Sequence, residues 1–235
     1  MFILKVLYAL LGNFVIFGGL LFLPAGTLNW WRAWVFLGVV AVSVIATMFI
    51  AFRENEELWR ERLKPPIQQG QPLIDKIIIS LFVLSFFGLV AAIPLDVFRF
   101  HLLGKPGATP CGYLEEIASG LGLLLFIAGW WMIAFSFKEN TFAAPVVKHQ
   151  AERHQTVVDT GVYSIVRHPM YAGAVLLMIG MPLWLESYAA ALFAIVPIIL
   201  LAVRIVFEEE FLKQELSGYD AYTERIRYRL LPYVW

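Results

Sequence analysis

With 60% hydrophobic and 15% charged side chains over 235 residues, the chain cannot be folded around one ordinary soluble core, and much of its surface must meet lipid. A formal net charge of zero gives no long-range attraction to nucleic acid. A single cysteine, Cys111, excludes an intrachain disulfide and a cysteine-based metal site.

A transmembrane helix needs roughly 20 mainly apolar residues to cross a hydrocarbon core of about 30 Å. Runs of that kind extend from Val6 to Leu23, from about Trp34 to Phe52, from Ile77 to Leu95, from Leu114 to Phe137, from about Pro169 to Leu185 and from Tyr188 to Phe207. The first has Lys5 as its only early positive charge and no small-residue cleavage site after it, so it reads as a retained helix and not as a secretory signal. Between the last two stand only Glu186 and Ser187, which makes them an antiparallel helical hairpin. Trp30, Trp31 and Trp34, with Trp130 and Trp131, suit anchoring near headgroups and suit plain packing equally well. The expected fold is therefore all-α, a polytopic integral membrane protein with about six transmembrane helices.

Threading six crossings alternately puts all of the 18 Lys and Arg on one side except Arg32, Arg99 and Lys105. The positive-inside rule then places both termini in the cytoplasm. Three polar segments share that side. Arg53 to Gln71 reads either as an interfacial helix carrying Leu58, Trp59 and Leu63, ended by Pro65 and Pro66, or as a solvated connector. Lys138 to Val166 holds two apolar β-branched patches, Pro145 to Lys148 and Thr156 to Asp159, in the pattern of a short surface hairpin. The tail, Glu208 to Trp235, continues the last membrane helix and carries Tyr219 and Tyr222 on one helical face, with Pro232 stopping any helix near the end.

The stretch from Gly161 to Gly173 is the most informative. It sets Arg167 and His168 directly before Pro169, which fits the first position of a helix. The free amides of a first helical turn favour an anion, and an adjacent Arg adds a bidentate carboxylate or phosphate donor. The alternative is that Arg167 and His168 snorkel at an interface while Gly173 lets helices pack closely. Glu208, Glu209 and Glu210 stand where the negative end of a helix dipole repels carboxylates, so something positive must offset them. Arg204, four residues before Glu208, is one partner; a ligand ammonium is the other.

The ordered pattern of Gly161 to Gly173, a helical hairpin, Glu208, Glu209 and Leu212, then Gly218, Tyr219, Tyr222 and a proline near the terminus resembles the isoprenylcysteine carboxyl methyltransferase family and the related membrane phospholipid methyltransferases. The similarity covers roughly Lys138 to Trp235. It implies an S-adenosyl-L-methionine-dependent methyltransferase whose cofactor cleft is formed by the last helices and the cytoplasmic tail, with a lipidic or isoprenylated acceptor entering from the bilayer. It further implies that Tyr163, Arg167, His168, Tyr171, Gly173, Glu208 and Glu209 bind the cofactor, that Arg167 and Glu209 serve catalysis, and that no metal or nucleic acid takes part. Residues 1–137 then form an N-terminal scaffold of four spans and 138–235 the methyltransferase core. Two other functions fit the residues: a membrane reductase using a nicotinamide cofactor, as in sterol reductases, and a non-catalytic membrane scaffold. A carboxylate pair is poorly placed beside the phosphates of a dinucleotide.

Overall fold

The structure, a computed structural model, describes residues 2–103, 112–146 and 150–235. Lys105, Cys111 and Lys148 lie outside the described residues. All regular structure among the described residues is helical. Helix α1 is Phe2–Ala25, α2 Trp31–Thr47, α3 Glu56–Arg62, α4 Leu73–Leu95 and α5 Gly112–Glu139. The C-terminal part contributes α6 Pro169–Trp184, α7 Tyr188–Phe193, α8 Ile195–Glu215 and α9 Tyr219–Arg225. Single π-helical turns, Met48–Phe52 and Asp96–Phe100, extend α2 and α4.

Among the described residues five stretches are long and apolar enough to cross a membrane: Phe2–Ala25, Trp31–Phe52, Leu73–Phe100, Tyr113–Glu139 and Tyr188–Glu215. The protein is a polytopic membrane protein, and large side chains such as Leu7, Leu11, Phe14, Val42 and Leu84 stay outward on these helices. The expected crossing from Pro169 to Leu185 is α6, whose 16 residues are shorter than the other five. At 1.5 Å per residue it spans about 24 Å. The last crossing is broken at Ala194, between α7 and α8. Pro197 explains the break, because it cannot donate to the Phe193 carbonyl and its ring crowds that turn.

Helix α6 packs chiefly along α5, and glycines permit the approach. A Cβ on Gly129 would stand 2.5 Å from the Gly173 carbonyl oxygen, and one on Gly173 would stand 2.5 Å from that of Gly129. Gly122 and Gly180 repeat the arrangement two turns away, at 2.8 and 2.5 Å from each other's carbonyl oxygens. Small residues at such seams let backbones approach closely in lipid, where no hydrophobic drive distinguishes helix from solvent. The seam crosses the expected boundary at Phe137.

Helix α4 is fastened to the C-terminal hairpin at both ends. Arg204 on α8 pairs with Asp75 at 3.0 Å near the start of α4, and Ser187 donates to Asp96 at 2.7 Å beyond its end. At the Asp96 end of the molecule, Arg32 pairs with Glu186 at 2.7 Å, donates to Ser119 at 2.6 Å and lies over the Trp31 and Trp184 rings. Trp30 is buried and Trp130 donates to Thr47 at 2.9 Å, so these two pack inside, whereas Trp31 and Trp34 are exposed.

Arg53 to Gln71 contains the expected interfacial helix, α3. Asn55 caps it by accepting from Leu58 N at 2.9 Å, Leu58 is fully buried, and the helix ends at Leu63 before Pro65. The short hairpin between the β-branched patches is not formed by the described residues: Thr156 to Asp159 has no regular structure. Val157 instead packs on Leu216, Tyr219 and Tyr222, so the patch buries itself against α9 and not against a partner strand.

The glycine seam sets a test. Gly129→Ala must push apart two backbones, whereas Gly120→Ala meets nothing within 4 Å. Thermal unfolding in detergent is expected to show Gly129→Ala destabilised by about 1 to 3 kcal/mol, with Gly120→Ala unchanged or slightly more stable.

Candidate functional site

The site is assembled where the end of α5, the segment from Gly161 to His168, the end of α8 and the tail meet. Gly161 has φ +55°, and a Cβ there would stand 2.6 Å from the Glu139 carboxyl carbon. Thr160 donates to that carboxylate at 2.8 Å, which ties the segment to the end of α5. The following turn buries Tyr163. Its hydroxyl accepts from Asn140 at 3.2 Å, and its carbonyl accepts from the Tyr222 hydroxyl at 2.8 Å. Burial pushes the Tyr163 phenol up to about 12 and raises those of Tyr219 and Tyr222 as well. All three are neutral aromatic walls at physiological pH.

Arg167 and His168 are pinned by main chain and side chain alike. Their backbone N–H groups donate to the Tyr228 and Arg229 carbonyls, both at 2.9 Å, so the tail lies against the entry to α6 as one short ribbon. Pro169 occupies the first helical turn, as its missing N–H allows. Arg167 Nε donates to Glu209 Oε1 at 2.6 Å, and its Nη1 donates to the Ile226 and Arg227 carbonyls at 2.7 and 2.9 Å. His168 Nε2 lies 3.1 Å from the same Glu209 oxygen, a geometry that requires the ring to carry its proton on Nε2. Arg229 Nε donates to Glu209 Oε2 at 2.8 Å. Glu209 is 3% exposed, so both of its oxygens are spoken for inside the protein.

These contacts reassign several residues. Glu209 is the buried hub that joins α8, the start of α6 and the tail, with both oxygens accepting hydrogen bonds from the protein. Arg204 stands near Glu208 on α8 but makes no direct ion pair with it: the guanidinium reaches Asp75 on α4 and donates to the Pro145 carbonyl at 2.9 Å. Glu208 accepts instead from the Tyr171 hydroxyl at 2.6 Å. Tyr171 in turn stacks on His168, with ring centroids 5.6 Å apart, and lies 5.8 Å from the Arg204 guanidinium.

Between these elements runs an open cleft. Tyr163, Arg167, His168, Tyr171 and Glu208 line it, as the motif led one to expect, and Tyr219 and Tyr222 from α9 join them. Glu209 and Gly173 do not. The first lies behind the wall, and the second is consumed by the seam with α5. Other wall residues carried no functional signal in the sequence: Asn140, Phe142 to Ala144 and Gln155 come from a connector without strong periodicity, and Thr156 to Val158 read only as an apolar patch. Arg229, whose role depends on where the tail folds back, had none either. Among the described residues no group of three or more His, Cys, Asp or Glu converges as metal ligands do.

Comparison with known proteins agrees with the motif. The phospholipid methyltransferase family model matches residues 117–217. Protein-S-isoprenylcysteine O-methyltransferase B of Arabidopsis thaliana is 36% identical over 83 residues, which cover 34% of this chain and 42% of that protein. Protein-S-isoprenylcysteine O-methyltransferase A of the same plant is 28% identical over 138 residues, 57% of this chain and 68% of that protein. The first of these matches thus spans less than half of its relative. The stretch similar to the phospholipid methyltransferase family, residues 117–217, contains the residues that line the cleft except Tyr219 and Tyr222.

Glu209→Gln removes the charge that two guanidiniums and an imidazole share while keeping the side chain's shape. Breaking a buried pair by removing one partner costs on the order of 3 to 5 kcal/mol. The substitution is expected to lower Tm by that equivalent and to expose the segment after Gly218 to proteolysis before the membrane helices unfold. An unchanged Tm and digestion pattern would show that the hub does not hold the tail.

Proposed function

Proceeding from that similarity, we propose that the chain is an integral membrane methyltransferase that transfers a methyl group from S-adenosyl-L-methionine to the carboxylate of an isoprenylated cysteine or a similar lipidic acid. The observation that carries this reading is the cleft itself, which combines one accessible carboxylate, Glu208, with the aromatic faces of Tyr163, Tyr171, Tyr219 and Tyr222. An ammonium calls for the first and a sulfonium for the second. The donor set of the cleft fits such a cofactor.

When bound, the cofactor supplies a sulfonium-activated methyl group, which passes to an acceptor oxygen as its bond to sulfur breaks. The residues of the chain then have to align, hold charge and exclude water. Glu208 holds the ammonium, and its carboxylate is aimed by the Tyr171 hydroxyl. Arg167 and His168 present the polar wall, already fixed by Glu209, so no reorganisation is needed at the moment of reaction. An acceptor carboxylate attacks in its ionised form, so no general base is required. A nicotinamide dinucleotide would bring its phosphates beside Glu208, which disfavours the reductase reading.

The catalytic face is the cytoplasmic one, and both termini lie there, by the distribution of Lys and Arg. A tag at either terminus should be cut by added protease in inside-out vesicles and protected in right-side-out ones.

Calorimetry of the detergent-solubilised protein should show binding of S-adenosylhomocysteine and none of NADPH; the reverse would replace the proposal with the reductase. Glu208→Gln is expected to raise the KM for S-adenosylmethionine about tenfold or more, since a charged hydrogen bond is worth roughly 1.5 to 3 kcal/mol. Wild-type kinetics in that variant would remove Glu208 from cofactor binding. Mass spectrometry of membrane extracts incubated with labelled S-adenosylmethionine identifies the acceptor.

A further inference from the structure

The tail carries a surface that the cleft does not use. From Arg229 to Trp235 the backbone closes on itself: the Arg229 and Leu230 N–H groups both donate to the main-chain oxygen of Trp235, at 2.8 and 3.0 Å, and the Trp235 N–H donates back to the Leu231 carbonyl at 3.3 Å. Ring contacts brace the turn, with the Tyr228 and Tyr233 centroids 5.2 Å apart and the Arg229 guanidinium 5.2 Å from the centre of the Trp235 ring. Its tip is apolar and turned outward: Leu231 is 51% exposed, Tyr233 89% and Val234 76%. A closed turn that holds large apolar side chains outward marks a contact surface.

The neighbours of this turn fix its depth. Arg229 is bound to Glu209, which lies in the last two turns of the membrane-crossing stretch Tyr188–Glu215. Leu230 packs inward against the apolar core that the crossing helices share. The tip therefore stands beside the end of a membrane helix, at the level of the headgroups. From Arg225 to Trp235 there are three arginines and no acidic residue. Arg229 is committed to Glu209 and Arg225 to Asp159, whereas Arg227 lends its carbonyl to Arg167 and keeps its side chain exposed.

We propose that the turn from Arg229 to Trp235 is an interfacial anchor, seated in the lipid leaflet beside the end of α8, with Leu231, Tyr233 and Val234 among the upper acyl chains and Arg227 on anionic phospholipid headgroups. Apolar and aromatic side chains flanked by arginine suit that boundary, where rings sit at headgroup level and cations meet anionic lipid. Because the turn is already closed, seating it costs little ordering. The anchor is independent of the reaction proposed above, but its consequence reaches the cleft. The same tail carries α9 and is tied through Arg229 to Glu209, so a seated turn holds Tyr219 and Tyr222 where they line the cleft.

The test uses the full chain with its single cysteine removed, Cys111→Ser, and Val234→Cys labelled with an environment-sensitive fluorophore. The protein is placed in nanodiscs of phosphatidylcholine with or without phosphatidylglycerol. A nitroxide high on the acyl chain is expected to quench the label more strongly than one near the chain's methyl end, as for a group about 5 to 10 Å into the boundary. In anionic discs Arg227→Gln should lower the ratio of lipid-seated to water-exposed label about fivefold, the share of one arginine near an anionic surface, and in neutral discs it should leave the ratio unchanged. Water-like emission that neither nitroxide quenches overturns the anchor. So does a label shielded from water yet unquenched, since a second copy or another protein face then covers the turn. An Arg227→Gln effect equal in the two kinds of disc overturns the assignment of anionic headgroups. The same label on Leu231→Cys should report the same depth, and a water-like result there counts equally against the anchor.

Discussion

The carboxylate of Glu209 accepts from Arg167, His168 and Arg229, three side chains drawn from two distant stretches of the chain, in a place almost closed to water. A charge so placed is tolerable only when it is paired and hydrogen-bonded, so its partners are held with it. The rest of the site follows from this constraint. With Arg167 and His168 fixed, the tail must lie along the entry to α6, where the carbonyls of Tyr228 and Arg229 take their backbone protons. With the tail in place, α9 turns Tyr219 and Tyr222 toward the cleft, and Tyr222 closes back on Tyr163.

A second constraint sets the frame within which that hub works. In lipid the close approach of α5 and α6 draws on van der Waals contact between backbones, which the glycine pairs 129 with 173 and 122 with 180 make available. The seam brings the end of α5, with Glu139 and Asn140, beside the Gly161 turn. It also supports α6, which is shorter than the five helices of membrane-crossing length. Cavity and scaffold are therefore coupled. The walls of the cleft are the ends of helices whose relative depth the glycines fix.

Adjacent residues on α8 have opposite duties. Glu208 and Glu209 differ by about 100° around the helix, which turns one into the cleft and the other into the protein. The outward one keeps a carboxylate edge open, with a single bond from Tyr171. The inward one gives up both edges to structure. Exposure, not charge or position in the sequence, decides which of the two is free to meet a ligand.

Much was legible in the sequence because it depended on local rules. Apolar length gave five of the six expected membrane crossings, Pro169 gave the start of α6, the mixed charges of Arg53 to Gln71 gave α3, and the motif from Gly161 onward gave five of the cleft's wall residues. What escaped depended on distance. The four-residue spacing of Arg204 and Glu208 suggests a pair, but an arginine side chain is long enough to reach a neighbouring helix, and Asp75 on α4 is what it finds. Gly173 reads equally as a cofactor contact or a packing residue until the backbone of Gly129 is seen against it. The sequence by itself thus determined the solvent of each segment and the chemistry available near the end of the chain, since burial length and residue type are properties of a segment. Only the tertiary structure decided which charges are spent on one another and which remain for a ligand. Ion pairing is settled between elements far apart in the chain, and no local pattern encodes it.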